Sequence, residues 1–247
     1  EQTLYAALCD AADIYGRGRR LLEDVKQIEY SYNDLLKMAL ILGRQIERLS
    51  QPGEKVGLLL PNTPYFVILY YAVLKAGGVV VNFNPLQAER EIEHQIADSG
   101  VEIMATLDLD ALFGKLTRAA SRQPIRHIVV CRMRDILPTP TRQLFSVMRR
   151  REVATIPSDG RHVSFEQLLA NDGRFDAPVC DPERAVALLQ YTGGTTGVPK
   201  GAELTHASLY ANAVQIRRWF HGCVPGRERI LGVLPLFHIF GMATVMN

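Results

Sequence analysis

Between Lys55 and Cys131 short apolar runs alternate with helix-length stretches, and this alternation restricts the fold more than any other feature of the chain. Lys55 to Leu60, Val79 to Phe83, Val101 to Leu107 and Arg126 to Cys131 read as buried strands. Residues 64–75, Glu89 to Asp98 and Leu109 to Ala120 read as the helices between them. Thr63 is a cap residue with Pro64 at the first helical position, and Gly77 and Gly78 close that helix. Strand, helix and strand in this order require parallel pairing, so the expected class is α/β, with layered, mostly parallel sheets and flanking helices. Val56 to Leu74 carries no charge, and it is long enough to cross a bilayer. Pro61-Asn62-Thr63-Pro64 interrupts it, which favours a strand, a turn and a buried helix.

The flanks extend this pattern. Leu4 to Tyr15 reads as a helix and Ile28 to Ser31 as a short strand. Tyr32 to Leu49 reads as an amphipathic helix with Leu35, Leu36, Ala39, Leu42 and Ile46 near a 3.6-residue period. Residues 1–131 form a first α/β part and 132–182, rich in proline and arginine, an excursion. Residues 183–247 form a second part, with Ala185 to Gln190 and Arg229 to Leu234 as strands. Helices are expected over Ala207 to Phe220, capped by Thr205, and from Ile239 onward.

Composition removes some functions. The 247 residues carry a net charge of +2, without the basic balance that a nucleic-acid partner requires. Cys9, Cys131, Cys180 and Cys223 form no Cys-x-x-Cys pair, which suits a reducing cytoplasm rather than a disulfide framework or zinc site. The opening EQTLYAALCD lacks the basic and apolar regions of a signal peptide.

Tyr191 to Lys200, YTGGTTGVPK, is the densest concentration of ligand-binding chemistry. Gly193, Gly194 and Gly197 permit close backbone approach, and Thr192, Thr195 and Thr196 add hydroxyl donors. Lys200 adds a mobile charge suited to phosphate. Spacing alone leaves a polyphosphate cradle and a plain surface hairpin about equally favoured. The lysine does not close a Gly-Lys-Ser/Thr triplet, so the loop is no Walker A element.

The longer string YTGGTTGVPKGAELTH resembles the signature of the adenylate-forming ligases, the group of acyl-CoA synthetases, luciferases and peptide-synthetase adenylation domains. Gly193 stands where serine is usual, which removes one hydroxyl donor. Glycine there resembles bacterial long-chain fatty acyl-CoA ligases. GEKVGLLLPN (Gly53 to Asn62) resembles the opening strand of the same family, and LKAGGVVVNFNP (Leu74 to Pro85) its second core motif, a structural one. PLFHIFG (Pro235 to Gly241) resembles the motif whose histidine sits between nucleotide and acyl pockets. The resemblance implies that Thr192, Gly193, Gly194, Thr195, Thr196, Gly197 and Lys200 bind the ATP phosphates. It places His238, Phe237 and Gly241 at the acyl and nucleotide pocket, with His238 positional rather than a general base. His206 is expected to serve local structure, and no catalytic or metal-binding residue is assigned.

The implied reaction joins a long-chain fatty acid to AMP with release of pyrophosphate, and coenzyme A then displaces AMP. Magnesium, ATP and coenzyme A are the implied cofactors and substrates. The resemblance covers about the first half of a family enzyme. It lacks the segments expected to bind adenine, ribose and magnesium and the C-terminal domain with its catalytic lysine, so the fragment alone is expected to be inactive. Three alternatives stand beside this reading: a fatty acyl-AMP ligase, a non-catalytic binding or scaffolding fragment, and a generic phosphate-binding domain such as a kinase. Homodimerisation or fragment self-association is a further expectation, from the apolar residues near Asn247. Thr141 to Val153 sets Leu144, Phe145, Val147 and Met148 beside four arginines. A solvated helix edge is the favoured reading, and peripheral contact with the inner membrane face is the alternative.

Overall fold

The computed structural model describes residues 2–23, 28–174, 176–192, 199–224 and 226–246. Its centre is a seven-stranded sheet: β3 (Lys55–Leu59), β4 (Val79–Asn82), β5 (Ile103–Leu107), β6 (His127–Cys131), β7 (His162–Ser164), β8 (Val186–Thr192) and β9 (Lys200–Thr205). The strand order is β7-β6-β5-β3-β4-β8-β9. Every neighbouring pair is parallel except β8 and β9, which run antiparallel. A small antiparallel pair, β1 (Arg20–Glu23) and β2 (Glu29–Ser31), stands apart from it.

Two apolar cores lie on the sheet's two faces. The larger is built from α1 (Leu4–Tyr15), α2 (Tyr32–Leu49) and α3 (Pro64–Lys75). Every residue from Pro64 to Leu74 is buried, so α3 has no solvent face and its apolar composition follows. The other core is built from α4 (Glu89–Ser99) and α5 (Asp110–Ala119). Among the described residues no helix is long and apolar enough to cross a membrane.

Element starts follow side-chain capping. Ser31 and Asp34 form a reciprocal box at the start of α2, and Thr205 accepts from Ser208 at the start of α8 (His206–Trp219). Thr63 makes no such side-chain bond, and α3 starts on Pro64 and its own burial. In the middle of β3, Gly57 has no room for a side chain. A Cβ there would lie 2.2 Å from the Met104 sulfur and 2.8 Å from the Phe83 ring.

Three elements differ from the sequence reading. The stretch 132–182 leaves the sheet through a 3-10 turn at Met133–Ile136 and α6 (Thr141–Met148). It then returns as the edge strand β7 and α7 (Phe165–Leu169), with a capping box between Ser164 and Gln167. β7 is three residues long, too short to show a period. β9 is the second difference, because its exposed Lys-Gly-Ala-Glu start carries no apolar alternation. The strand expected over Arg229 to Leu234 does not form. No described strand pairs with it, and apolar composition cannot replace a missing ladder partner.

One long-range bond ties the beginning of the chain to the second part. The Leu4 backbone N–H donates to Nδ1 of the buried His206 at 3.3 Å. Burial lowers the His206 pKa to about 4. Between about 6.5, the unfolded value, and about 4, the unfolded chain takes up a proton that the folded chain refuses. This contribution to stability is therefore full above that window and is lost as pH falls through it, by up to about 1.4 kcal/mol per pH unit. His206→Asn keeps an acceptor near Nδ1 without the titration. Urea unfolding at pH 7 and pH 5 should show a smaller loss for the variant than for the parent. Equal losses would remove His206 as the source.

Candidate functional site

The sequence-predicted residues gather at the carboxyl ends of the strands, where open parallel sheets bind ligands. β8 ends at Thr192, and β9 starts at Lys200 directly across the ladder from it. Opposed residues in an antiparallel pair project to the same face, so the hydroxyl and the ammonium leave the hairpin on one side. Both residues are exposed. Gly193, Gly194, Thr195, Thr196 and Gly197, which complete the predicted cradle, lie outside the described residues.

The base of the hairpin is clamped from two directions. The Tyr191 hydroxyl donates to Asp98 in α4, and burial followed by that carboxylate raises the tyrosine pKa. Its ring rests over Gly201, where a Cβ would come within 3.1 Å of ring carbons. On the inner side, buried Gln190 donates from Nε2 to the Phe237 carbonyl at 3.3 Å. Its Oε1 accepts from Asn82 Nδ2 at 3.2 Å. Asn82 also contacts the Met242 sulfur at 3.7 Å. These buried polar contacts join β4, β8 and α9 (Ile239–Val245).

Through Gln190 the structure brings the two predicted stretches together, the glycine–threonine hairpin and the turn carrying Phe237, His238 and Gly241. Phe237 is half-buried and packs against the larger core. His238 is exposed and caps α9, its Nδ1 accepting from the Phe240 N–H at 3.3 Å. With Nδ1 accepting, a neutral ring carries its proton on Nε2 and presents a donor outward. Gly241 is buried, and a Cβ there would lie 2.3 Å from the Pro235 carbonyl oxygen. This glycine lets α9 fold tightly back on the turn that holds His238.

Asn62 organises the other side of that turn. Its Nδ2 donates to the carbonyls of Gly232 at 3.1 Å and Leu234 at 2.8 Å, and its Oδ1 accepts from the Leu236 N–H at 2.7 Å. Asn62 follows β3 across the sheet from the hairpin. The sequence reading placed it in a motif but gave it no role. An asparagine between two prolines, at a strand's carboxyl end, is the signal available for it.

Two cavities open at the opposite, amino ends of the strands. One of about 180 Å³ is lined by Gly53, Glu54, Lys55, Gly100 and Glu102. The other, of about 360 Å³, includes Gly77, Pro178, Cys180 and Val186 in its lining. Thr192, Lys200, Phe237, His238 and Gly241 line neither of them. Thr192, Lys200 and His238 are exposed, and the first two form a rim that can grip an anion.

Among the described residues no group of three or more His, Cys, Asp or Glu side chains could hold a metal ion. Asp98, the carboxylate at the hairpin's base, is already engaged by Tyr191. The described residues alone do not make a protein-bound magnesium site.

A family model described as AMP-binding enzyme matches residues 10–247. A long-chain-fatty-acid–CoA ligase from Bacillus subtilis (strain 168) is 38% identical over 226 residues, covering 87% of this chain and 38% of the relative. A ligase of the same description from Escherichia coli O157:H7 is 36% identical over 197 residues, covering 77% of this chain and 34% of the relative. The crystal structure of a long-chain-fatty-acid-CoA ligase from Archaeoglobus fulgidus superimposes with a TM-score of 0.77 at 23% identity. It is covered over 45% of its length by 99% of this chain. ATP-bound MatB from Rhodopseudomonas palustris gives a TM-score of 0.74 at 20% identity, over 97% of this chain and 41% of that one. The chain therefore spans less than half the length of these relatives.

Proposed function

The chain belongs to the AMP-binding enzyme family, and from that membership we propose that it is the phosphate-gripping part of a long-chain fatty acid–CoA ligase. The observation that carries this reading is the hairpin register that sets Thr192 opposite Lys200, with Gln190 of the same strand bonded to the His238-bearing turn. In the proposed reaction a fatty acid carboxylate attacks the α-phosphate of ATP, the bond to pyrophosphate breaks, and acyl-AMP forms. The coenzyme A thiolate then attacks the acyl carbon and AMP leaves.

The Lys200 ammonium and Thr192 hydroxyl, with the backbone and hydroxyls of Gly193 to Gly197, hold the β- and γ-phosphates and offset charge on departing pyrophosphate. His238 presents its outward N–H toward the acyl carboxylate, while Phe237 and Gly241 shape the wall beside it. Magnesium enters as the counter-ion of the ATP substrate. The acyl chain would contribute about 0.8 kcal/mol per buried methylene. The proposed setting is the cytoplasm.

The test is nucleotide titration of the 247-residue chain, followed by product analysis with palmitate and coenzyme A. The expected result is binding of Mg-ATP without acyl-CoA formation. Release of ADP instead of AMP would indicate a kinase-like domain, and absence of any triphosphate binding would remove the cradle. Acyl-CoA made by the isolated chain would overturn its assignment as a part that is inactive alone. With a polypeptide of the relatives' full length, fatty-acid-dependent AMP release that needs coenzyme A separates a CoA ligase from an acyl-AMP ligase.

A further inference from the structure

The element α6 has no role in the site described above, and its surroundings point elsewhere. No residue of this helix is buried. Leu144, Val147 and Met148 stand at i, i+3 and i+4, which places them on one face. They are 59%, 79% and 71% exposed. Single exposed apolar residues are ordinary, but three on one helical face form a patch.

The opposite side is fastened to the protein. Arg142 donates from Nε to the carbonyls of Arg134 at 3.1 Å and Leu137 at 3.2 Å, and from Nη2 to that of Asp135 at 2.9 Å. These bonds hold the helix to the preceding 3-10 turn, with its apolar face open to solvent. A solvated helix edge, the favoured expectation from sequence, would put polar side chains on that outer face. The structure puts leucine, valine and methionine there.

Charge supplies the partner's chemistry. Residues 132–153 carry six arginines against two acidic residues, Asp135 and Glu152. Arg149 pairs with Glu152 at 2.5 Å, while Arg150 and Arg151 follow in an exposed 3-10 turn directly after the apolar face. Guanidinium groups pair with phosphate through two parallel bonds. An apolar stripe bordered by arginines matches a surface with anionic headgroups above an acyl layer.

We propose that α6 and the arginine turn after it dock the chain on anionic phospholipid surfaces. Leu144, Val147 and Met148 enter the headgroup–acyl boundary, and Arg150 and Arg151 meet lipid phosphates. The docking uses none of the hairpin residues, so it stands or falls separately from the ligase reading.

Co-sedimentation of the 247-residue chain tests this, using vesicles of phosphatidylcholine alone or mixed with phosphatidylglycerol. Pelleting with the mixed vesicles only, weakened by added salt, is the expected result. Arg150→Glu with Arg151→Glu leaves the Arg149–Glu152 pair in place and should lower apparent affinity at least about tenfold. Leu144→Ser, Val147→Ser and Met148→Ser together should lower it similarly, with thermal melts confirming that each variant is folded. Equal binding to neutral vesicles, or unchanged binding by the double glutamate variant, would overturn the proposal. So would a lipid-independent dimer in sedimentation that the triple serine variant abolishes, because the patch would then belong to a second copy.

Discussion

Lys200→Ala should weaken tripolyphosphate binding to the chain by about 100-fold, measured by titration calorimetry. The lysine faces the same side as Thr192 across the hairpin and is exposed to solvent. A charge-assisted hydrogen bond to a phosphate contributes up to about 3 kcal/mol, which corresponds to that factor. Lys200→Arg should retain most of the affinity because it keeps the charge. Adenosine, which has no phosphate, should show no difference between parent and variant. A tripolyphosphate affinity untouched by Lys200→Ala would reduce the segment to an ordinary hairpin, the competing reading of its glycines and threonines.

Phe66→Ala should cost about 3–5 kcal/mol of folding stability, read as a lower urea midpoint. Phe66 is 0% exposed within a helix buried all round, so the atoms removed leave a void that neighbours on every side must line. Ile14→Ala is the control, since Ile14 is 72% exposed and its loss should be near neutral. A Phe66 variant as stable as the control would mean that α3 is not packed as described.

The elements legible in the sequence were those with a long period or a strong terminal signal. α1 and α2 start and end where the apolar spacing and flanking residues place them. The same holds for α3, whose proline start was visible at Pro64. β7 and β9 were not legible, because a three-residue edge strand and a largely exposed one give no alternation to read. The strand expected at Arg229 to Leu234 failed for the opposite reason: the composition is right and the pairing partner is absent among the described strands. In the site, the glycine–threonine string and the histidine turn were visible as separate motifs. Their connection through Gln190, and the bracing of that turn by Asn62, depend on contacts more than 40 residues apart, which no local pattern encodes.

The bond between Leu4 and His206 links residues 202 positions apart. Displacing the start of α1 therefore takes a hydrogen-bond donor away from the imidazole at the root of α8, directly after β9. Nucleotide affinity is best compared between proteins that share the same residues ahead of α1, so that a disturbed Leu4–His206 bond is not mistaken for a property of the phosphate grip.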